Sequence, residues 1–442
     1  LLSGLCVLPA AALLAAGRPE LAGYVFWGSF GLVAAALVVL RRSDEFAALA
    51  IALAPAVNLL RDLAFYNVVV AVGAVAVLLA ATIRKEELAA RLREIRGVRI
   101  LAIFAAFYYV LSFLFTQDYS VNLRIFELVS GIVLILFLTR RQGLLAPTLL
   151  ALALSSAAIA LVLTPYLQED AVERLGQIRV GGVRLGNPVQ IGVPLALGLL
   201  LCVGDRGAWI GLSRRPVIRT ALAALLAVLL LLTTSRGAWL VAVGGFFVIL
   251  LVGRRGRLQM LLLVTLALAA AFVVVPRTSF GEFVEKGFSR TFDEERTARN
   301  RSSGRSDQWI VAGEAMTSSP VAFLVGHGAG TGARVYARES VRTPGIEYAV
   351  GRNVPFHSLF MQIGVEMGIV GLILLVLWLG GVLRRAWRNR SALGAMPMVG
   401  AVGWSLVALG VSANDTVSGV FLGLALTASA MAAATKTARR AA

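Results

Sequence analysis

The chain is poor in the residues that hold metals and close disulfides. Its 442 residues include two histidines and two cysteines. Cys6 and Cys202 both fall inside apolar runs, which argues against a disulfide framework and against a cysteine-ligated metal cluster. His327 and His357 stand 30 positions apart, with no paired-aspartate motif in a short loop beside them, so no metal and no cofactor is expected. The acidic run Asp293-Glu294-Glu295 reads as a solvated helix face. Charge of either sign is scarce, at 15% of residues, which does not suit a soluble protein of this length. Long polar intervals are missing as well, with one exception between Pro276 and Pro355. No internal repeat or low-complexity segment is present.

Apolar runs fill the remainder. Residues 1–17, 20–40, 44–60, 64–82, 98–116, 121–139, 143–164, 187–204, 217–233, 237–252, 257–275, 356–381, 394–411 and 414–434 each read as a membrane span. The run at 44–60 is short and carries Pro55 and Asn58, so the count is 12–14 spans. The expected fold is an all-α polytopic membrane protein. It divides into a transmembrane part at 1–275, an outer loop at 276–355 and a second transmembrane part at 356–442. The net charge of +18 is topological and does not indicate nucleic acid. Of the 42 basic residues, 24 lie in clusters between alternate spans, such as Arg41-Arg42, Arg140-Arg141 and Arg254-Arg255-Arg257. By the positive-inside rule those loops and both termini are cytoplasmic, and 277–355 lies outside. Two further loops carry amphipathic helices at the membrane surface, one through Leu88, Leu92 and Ile95, the other through Leu167, Ala171, Leu175 and Ile178.

Once topology accounts for the cytoplasmic arginines, the outer ones stand out. Arg236 sits in a tight reversal, Thr233-Thr234-Ser235-Arg236-Gly237-Ala238-Trp239. Arg184 precedes Asn187, a helix cap, and Pro188, a first helical residue. Both could be interfacial anchors, with Trp239 as the aromatic partner of Arg236. Arg305 lies at a helix start capped by Ser303 or Ser306, where a cation opposes the macrodipole unless an anion is held there too. His357 follows Pro355, which reads as the first residue of an apolar helix. That places the imidazole in the first turn, kept neutral and able to act as a base. Glu366 would then lie about 13 Å deeper along the same helix. His327 falls in a glycine-rich stretch, Gly326 to Gly332, that reads as a flexible hinge. Arg352 and His327 are secondary candidates.

The polar segment carries eleven Lys/Arg and nine Asp/Glu, with Trp309, Ile310, Phe323 and Leu324 pointing to a packed lid. Arginines suit phosphate through their planar fork. Together with one candidate base at the outer membrane boundary, they fit a metal-free glycosyl transfer from a pyrophosphate donor. Sparse charge at mid-depth argues against a transporter of lipid-linked glycan, the alternative from another class.

Three motifs in this order carry a resemblance. They are Thr-x-Ser-Arg-Gly-Ala-Trp ending at Trp239, Gly304-Arg305 with Trp309, and His357-Ser-Leu-Phe followed by Gly364, Gly368 and Gly371. The set resembles the O-antigen ligase / O-antigen polymerase superfamily over about 217–381. The resemblance implies a C-type glycosyltransferase-like fold, an undecaprenyl-pyrophosphate-linked glycan donor, and a multi-pass enzyme of the bacterial inner membrane whose site faces the periplasm. It implies His357 as catalytic base and Arg236, Arg305 and, less directly, Arg184 as binders of the donor pyrophosphate. The acceptor it implies is lipid A–core oligosaccharide for a ligase, the glycan itself for a polymerase, or Ser/Thr for a protein glycosyltransferase.

Overall fold

The computed structural model describes residues 142–163, 179–180, 183–184, 188–233, 235–252, 304–328, 330–410 and 417–427, with scattered positions in 9–53 and 131–138. Expected spans at 64–82, 98–116 and 257–275, and the amphipathic helices at 88–95 and 167–178, lie outside these residues. So do the acidic run at 293–295 and Cys6.

Helices dominate. The bundle is built from α1 (Gln142–Leu163), α2 (Pro188–Val203), α3 (Pro216–Leu232) and α4 (Arg236–Val252). The polar segment folds into α5 (Arg305–Thr317), α6 (Pro320–Val325) and α7 (Gly332–Arg342). A long α8 (Leu359–Arg388), a single turn α9 (Arg390–Leu393), α10 (Met396–Gly410) and α11 (Val417–Thr427) complete the described elements. The described elements are helical as expected, apart from one short pairing. Arg179–Val180 pairs antiparallel with Val183–Arg184, Val180 opposite Val183. The two residues between are Gly181-Gly182, the composition a two-residue hairpin loop uses.

Prolines mark helix starts where a missing N–H costs nothing: Pro188, Pro216 and Pro320 each open a helix. Hydroxyls inside apolar helices bond back to their own carbonyls, as Thr148 does to Leu144 at 2.6 Å and Ser156 to Leu152 at 2.8 Å. Small residues let the helices close up. Gly198 of α2 lies against Ala153 of α1 and Leu226 of α3, and Gly403 of α10 lies against the Phe421 ring of α11. Trp404 is buried beside Trp378, edge to face at 6.2 Å, which ties α8 to α10.

At the end of α2 the chain makes a 3-10 turn, Gly204–Ile210, carrying Asp205 at φ 49. Its carboxylate accepts from the Ala395 amide and from Trp209 Nε1, each at 3.1 Å. Asp205 therefore caps α10 from a distant part of the chain. Burial raises its carboxyl above the usual range, while the Ala395, Met396 and Trp209 donors pull it back down.

Two of the described helices, Gly143–Leu163 and Leu359–Arg388, are long and apolar enough to cross a membrane, and five shorter apolar helices accompany them. The second of the two is not continuous. Gly368 stands at φ 62, ψ −163, a conformation essentially reserved to glycine, and breaks α8 there. The residues after the break alone span about 30 Å, the thickness of a bilayer's hydrocarbon. Before it, Leu359 and Phe360 pack against the main core, while Val365, with Met361 against it, joins a second, smaller core of Val311, Ala312, Ala315, Val335, Tyr336 and Phe356. Trp309, Ile310, Phe323 and Leu324, expected to pack the polar segment, are exposed instead, because α5 turns its Val311 face inward and α6 buries Ala322 alone.

Candidate active site

The site grows from the first turn of α5. Gly304 precedes it at φ 77, and a Cβ there would enter the Tyr348 ring. Arg305 is the first residue of the helix. Contrary to the expectation of a serine cap, no side chain caps this end. Arg305 is half-buried, and desolvation holds its guanidinium below the usual range, partly offset by neighbouring Tyr348. Asp307 and Gln308 of the same turn are buried and work on the chain around them. The Asp307 carboxylate accepts from the amides of Glu347 and Tyr348, both at 3.1 Å. Gln308 donates from Nε2 to the Pro355 carbonyl at 3.3 Å and accepts at Oε1 from the His357 amide at 2.8 Å.

That clamp corrects the placement of His357. The helix does not start at Pro355: Ser358, extended at φ −151 and ψ 125, precedes α8, which begins at Leu359. His357 lies before the first turn, on non-helical backbone held by Gln308. Its Nε2 lies 3.5 Å from the Tyr348 hydroxyl oxygen. Tyr348 is fixed from the other side, its carbonyl accepting from the Tyr336 hydroxyl at 2.5 Å. Arg305, Tyr348 and His357 are thus gathered around one helix start.

Arg236 is the first residue of α4, half-buried, behind a local capping arrangement. Ser235 Oγ accepts from the Ala238 amide at 3.5 Å, and Trp239 Nε1 donates to the Leu230 carbonyl at 3.1 Å. The end of the bundle that carries Arg236 is the end that carries His357. Helix α10 runs antiparallel to α4, with Met396 and Ile249 both bordering Gly204, and Val402 and Leu406 facing Gly244. At the far end of α10 the Ser358 hydroxyl donates to the Ala408 carbonyl at 3.4 Å. Gly192, near the start of α2, lies against Thr233, Ser235 and Ala238, so α2 starts at this end, four residues after Arg184 in the sequence.

His327 and Arg352 are not drawn into this group by any contact described. His327 Nε2 bonds the Ala315 carbonyl at 2.8 Å and its amide bonds the Val365 carbonyl at 2.8 Å. The glycine-rich stretch is therefore fastened to α8 rather than hanging as a hinge. Arg352 is exposed. Glu366 is buried against the same stretch, its Oε1 accepting from the Gly332 amide at 3.0 Å and from Gln362 at 3.2 Å. It caps α7 instead of lying deep in a span. Among the described residues no three His, Cys, Asp or Glu side chains cluster as metal ligands do.

Residues 221–376 match the family model described as O-antigen ligase. The match supports membership of the O-antigen ligase/polymerase superfamily. Within this family match lie Arg236, Arg305, Tyr348 and His357, together with the Gly368 break; Arg184 precedes it. O-antigen ligase family proteins are membrane-integral and act on lipid-linked glycans, which supports a membrane enzyme of glycosyltransferase type, ligase or polymerase. No curated protein matches the chain.

Three residues in the ligase-family stretch escaped the sequence reading: Asp307, Gln308 and Tyr348. Gln308 had one signal, an amide side chain on the buried face of a helix, which must find partners. Tyr348 had none beyond its place in the polar segment.

Proposed function

We propose that the chain is an O-antigen ligase, moving glycan from an undecaprenyl-pyrophosphate donor to a lipid A–core oligosaccharide at the periplasmic face of the bacterial inner membrane. The observation that carries this reading is the gathering of Arg305, Tyr348 and His357 at one helix start, at the bundle end that Arg236 also occupies. In this reading the chain crosses the membrane many times, and 276–355 forms a lid over the site.

The reaction is an inverting displacement without a metal. An acceptor hydroxyl attacks the anomeric carbon, and the bond from that carbon to the pyrophosphate oxygen breaks. His357 takes the hydroxyl proton. Arg236 and Arg305, with Arg184, neutralise the departing undecaprenyl pyrophosphate. The two principal arginines each open a helix, so the backbone amides of the first turn reinforce the cation toward an anion. The partly desolvated setting of Arg305 strengthens the same attraction.

The test is a transfer assay on purified enzyme with one lipid-linked donor. Lipid A–core, free glycan lipid and a Ser/Thr peptide are offered in parallel. Transfer to lipid A–core is expected. Transfer confined to the glycan lipid makes the enzyme a polymerase, and transfer confined to the peptide a protein glycosyltransferase. ATP-independent translocation without transfer would overturn the enzymatic reading.

A further inference from the structure

Helix α6 turns nearly all of its apolar side chains outward. Ser319 caps it, accepting from the Ala322 amide at 3.0 Å, and Pro320 opens it. Only Ala322 is buried, while Val321 (66% exposed), Phe323, Leu324 and Val325 are open. No charged residue falls between Ser319 and Gly326. An exposed run of this kind marks an interaction surface.

Its occupant follows from what it adjoins. The backbone of α6 lies in the break of α8. A Cβ at Gly368 would enter Leu324 and Val325, and one at Gly326 would enter Glu366 and Met367. Immediately beyond the break, α8 exposes Val370, Ile373, Leu374 and Leu377, at spacings that make a single stripe along one helix face. These residues belong to the helix long and apolar enough to cross a membrane. The stripe therefore faces acyl chains, and α6 sits at its outer end.

We propose that α6 is an interfacial anchor, its Val321–Val325 face dipped into the acyl layer of the outer leaflet of the same bilayer that α8 crosses. Such a helix gains affinity from buried apolar area alone. Because α6 follows α5 across a two-residue turn, the anchor holds the helix start bearing Arg305 at a set height over the membrane. The inference rests on α8 being a spanning helix and is independent of which acceptor the enzyme uses.

Spin labels test it on the full chain in phosphatidylethanolamine/phosphatidylglycerol proteoliposomes. In a Cys6→Ser, Cys202→Ala background, single labels are placed by Val321→Cys and Leu324→Cys, with Glu314→Cys on the exposed face of α5 as reference. Collision rates with oxygen and with a neutral nickel chelate are compared. Both α6 labels should favour oxygen over the chelate, and the Glu314 label should do the reverse. Chelate-favoured collisions at both α6 positions would overturn the anchor. So would low collision rates with both reagents, which would mean a protein cover, or label–label broadening, which would mean a second copy. The two α6 positions guard against one label disturbing the fold, as does gel-filtration monodispersity of each variant.

Discussion

Gln308 uses both ends of its amide on one short stretch, and that stretch carries the imidazole. The site therefore holds His357 through its backbone while its ring meets Tyr348. If His357 is the general base, His357→Gln should lose about 10²- to 10⁴-fold in transfer rate, since it keeps a hydrogen bond but cannot accept the proton. His357→Ala should be equally poor, with donor binding and expression intact, and His327→Ala should stay active because its ring serves the Ala315 carbonyl. The paired assay on purified variants decides: a live His357→Gln refutes the base. For the arginines the prediction concerns geometry. A pyrophosphate gripped by a planar fork is poorly served by an ammonium, so Arg236→Lys and Arg305→Lys should fail almost as badly as alanine. Losing one such contact should cost roughly 2.7–4 kcal/mol of transition-state stabilisation, a fall of about 10²- to 10³-fold. Wild-type rates in either lysine variant would show that a point charge suffices.

Helix bounds were largely legible in the sequence, and helix interruptions were not. The spans read at 143–164, 187–204, 217–233 and 237–252 agree with α1 to α4 to within a residue or so, because a long apolar run between prolines and arginines has one low-energy backbone state in lipid. Gly364, Gly368 and Gly371 read alike as packing glycines. Only Gly368 has the positive φ that splits α8, and nothing in its neighbours marks it. The clamp on His357 was equally hidden, since Gln308 lies 49 positions away. The break yields a prediction. Gly368→Ala places a side chain in a strained backbone region and against Leu324 and Val325, costing at least about 1–3 kcal/mol. Its melting temperature in detergent should fall well below that of Gly380→Ala, whose site has open space; equal values would mean α8 can straighten. Helix α7 offers a second test through Tyr336. Burial, then the nearby Asp307 and Tyr348, push its phenol up to about 12. The neutral phenol is thus favoured in the folded state. Its support is full below about pH 10, where a free tyrosine ionises, and is lost as pH rises toward 12. Tyr336→Phe should flatten that alkaline loss of stability, measured by thermal unfolding between pH 9 and about 12.

Across the whole molecule, fastening and chemistry occupy opposite ends of the bundle. Asp205 caps α10 at one end, and at the other α10 receives the Ser358 hydroxyl beside the candidate base. In the proposed reading the polar segment covers that second end with arginines at helix starts, and this arrangement bears on how the leaving group's charge is met. A pyrophosphate leaving group needs positive charge, supplied either by a divalent ion held on carboxylates and imidazoles or by guanidinium groups. Among the described residues, the chain has few side chains to offer a metal here. Cys202 is buried in α2, His327 is bonded to a carbonyl, Glu366 and Asp307 are spent on backbone amides, and Asp293 and Glu295 stand outside the described residues. It has arginines where the bundle, the lid and the helix starts converge. Transfer should therefore proceed in excess EDTA at the untreated rate, measured as glycan moved to lipid A–core per unit time on metal-stripped enzyme. The substrate itself could recruit a cation, so the measurement is made with donor and acceptor both passed over chelating resin. A rate lost to EDTA and restored by Mg²⁺ or Mn²⁺ would transfer charge neutralisation to a bound ion, and would direct mutagenesis to Asp293 and Glu295 in place of Arg236 and Arg305.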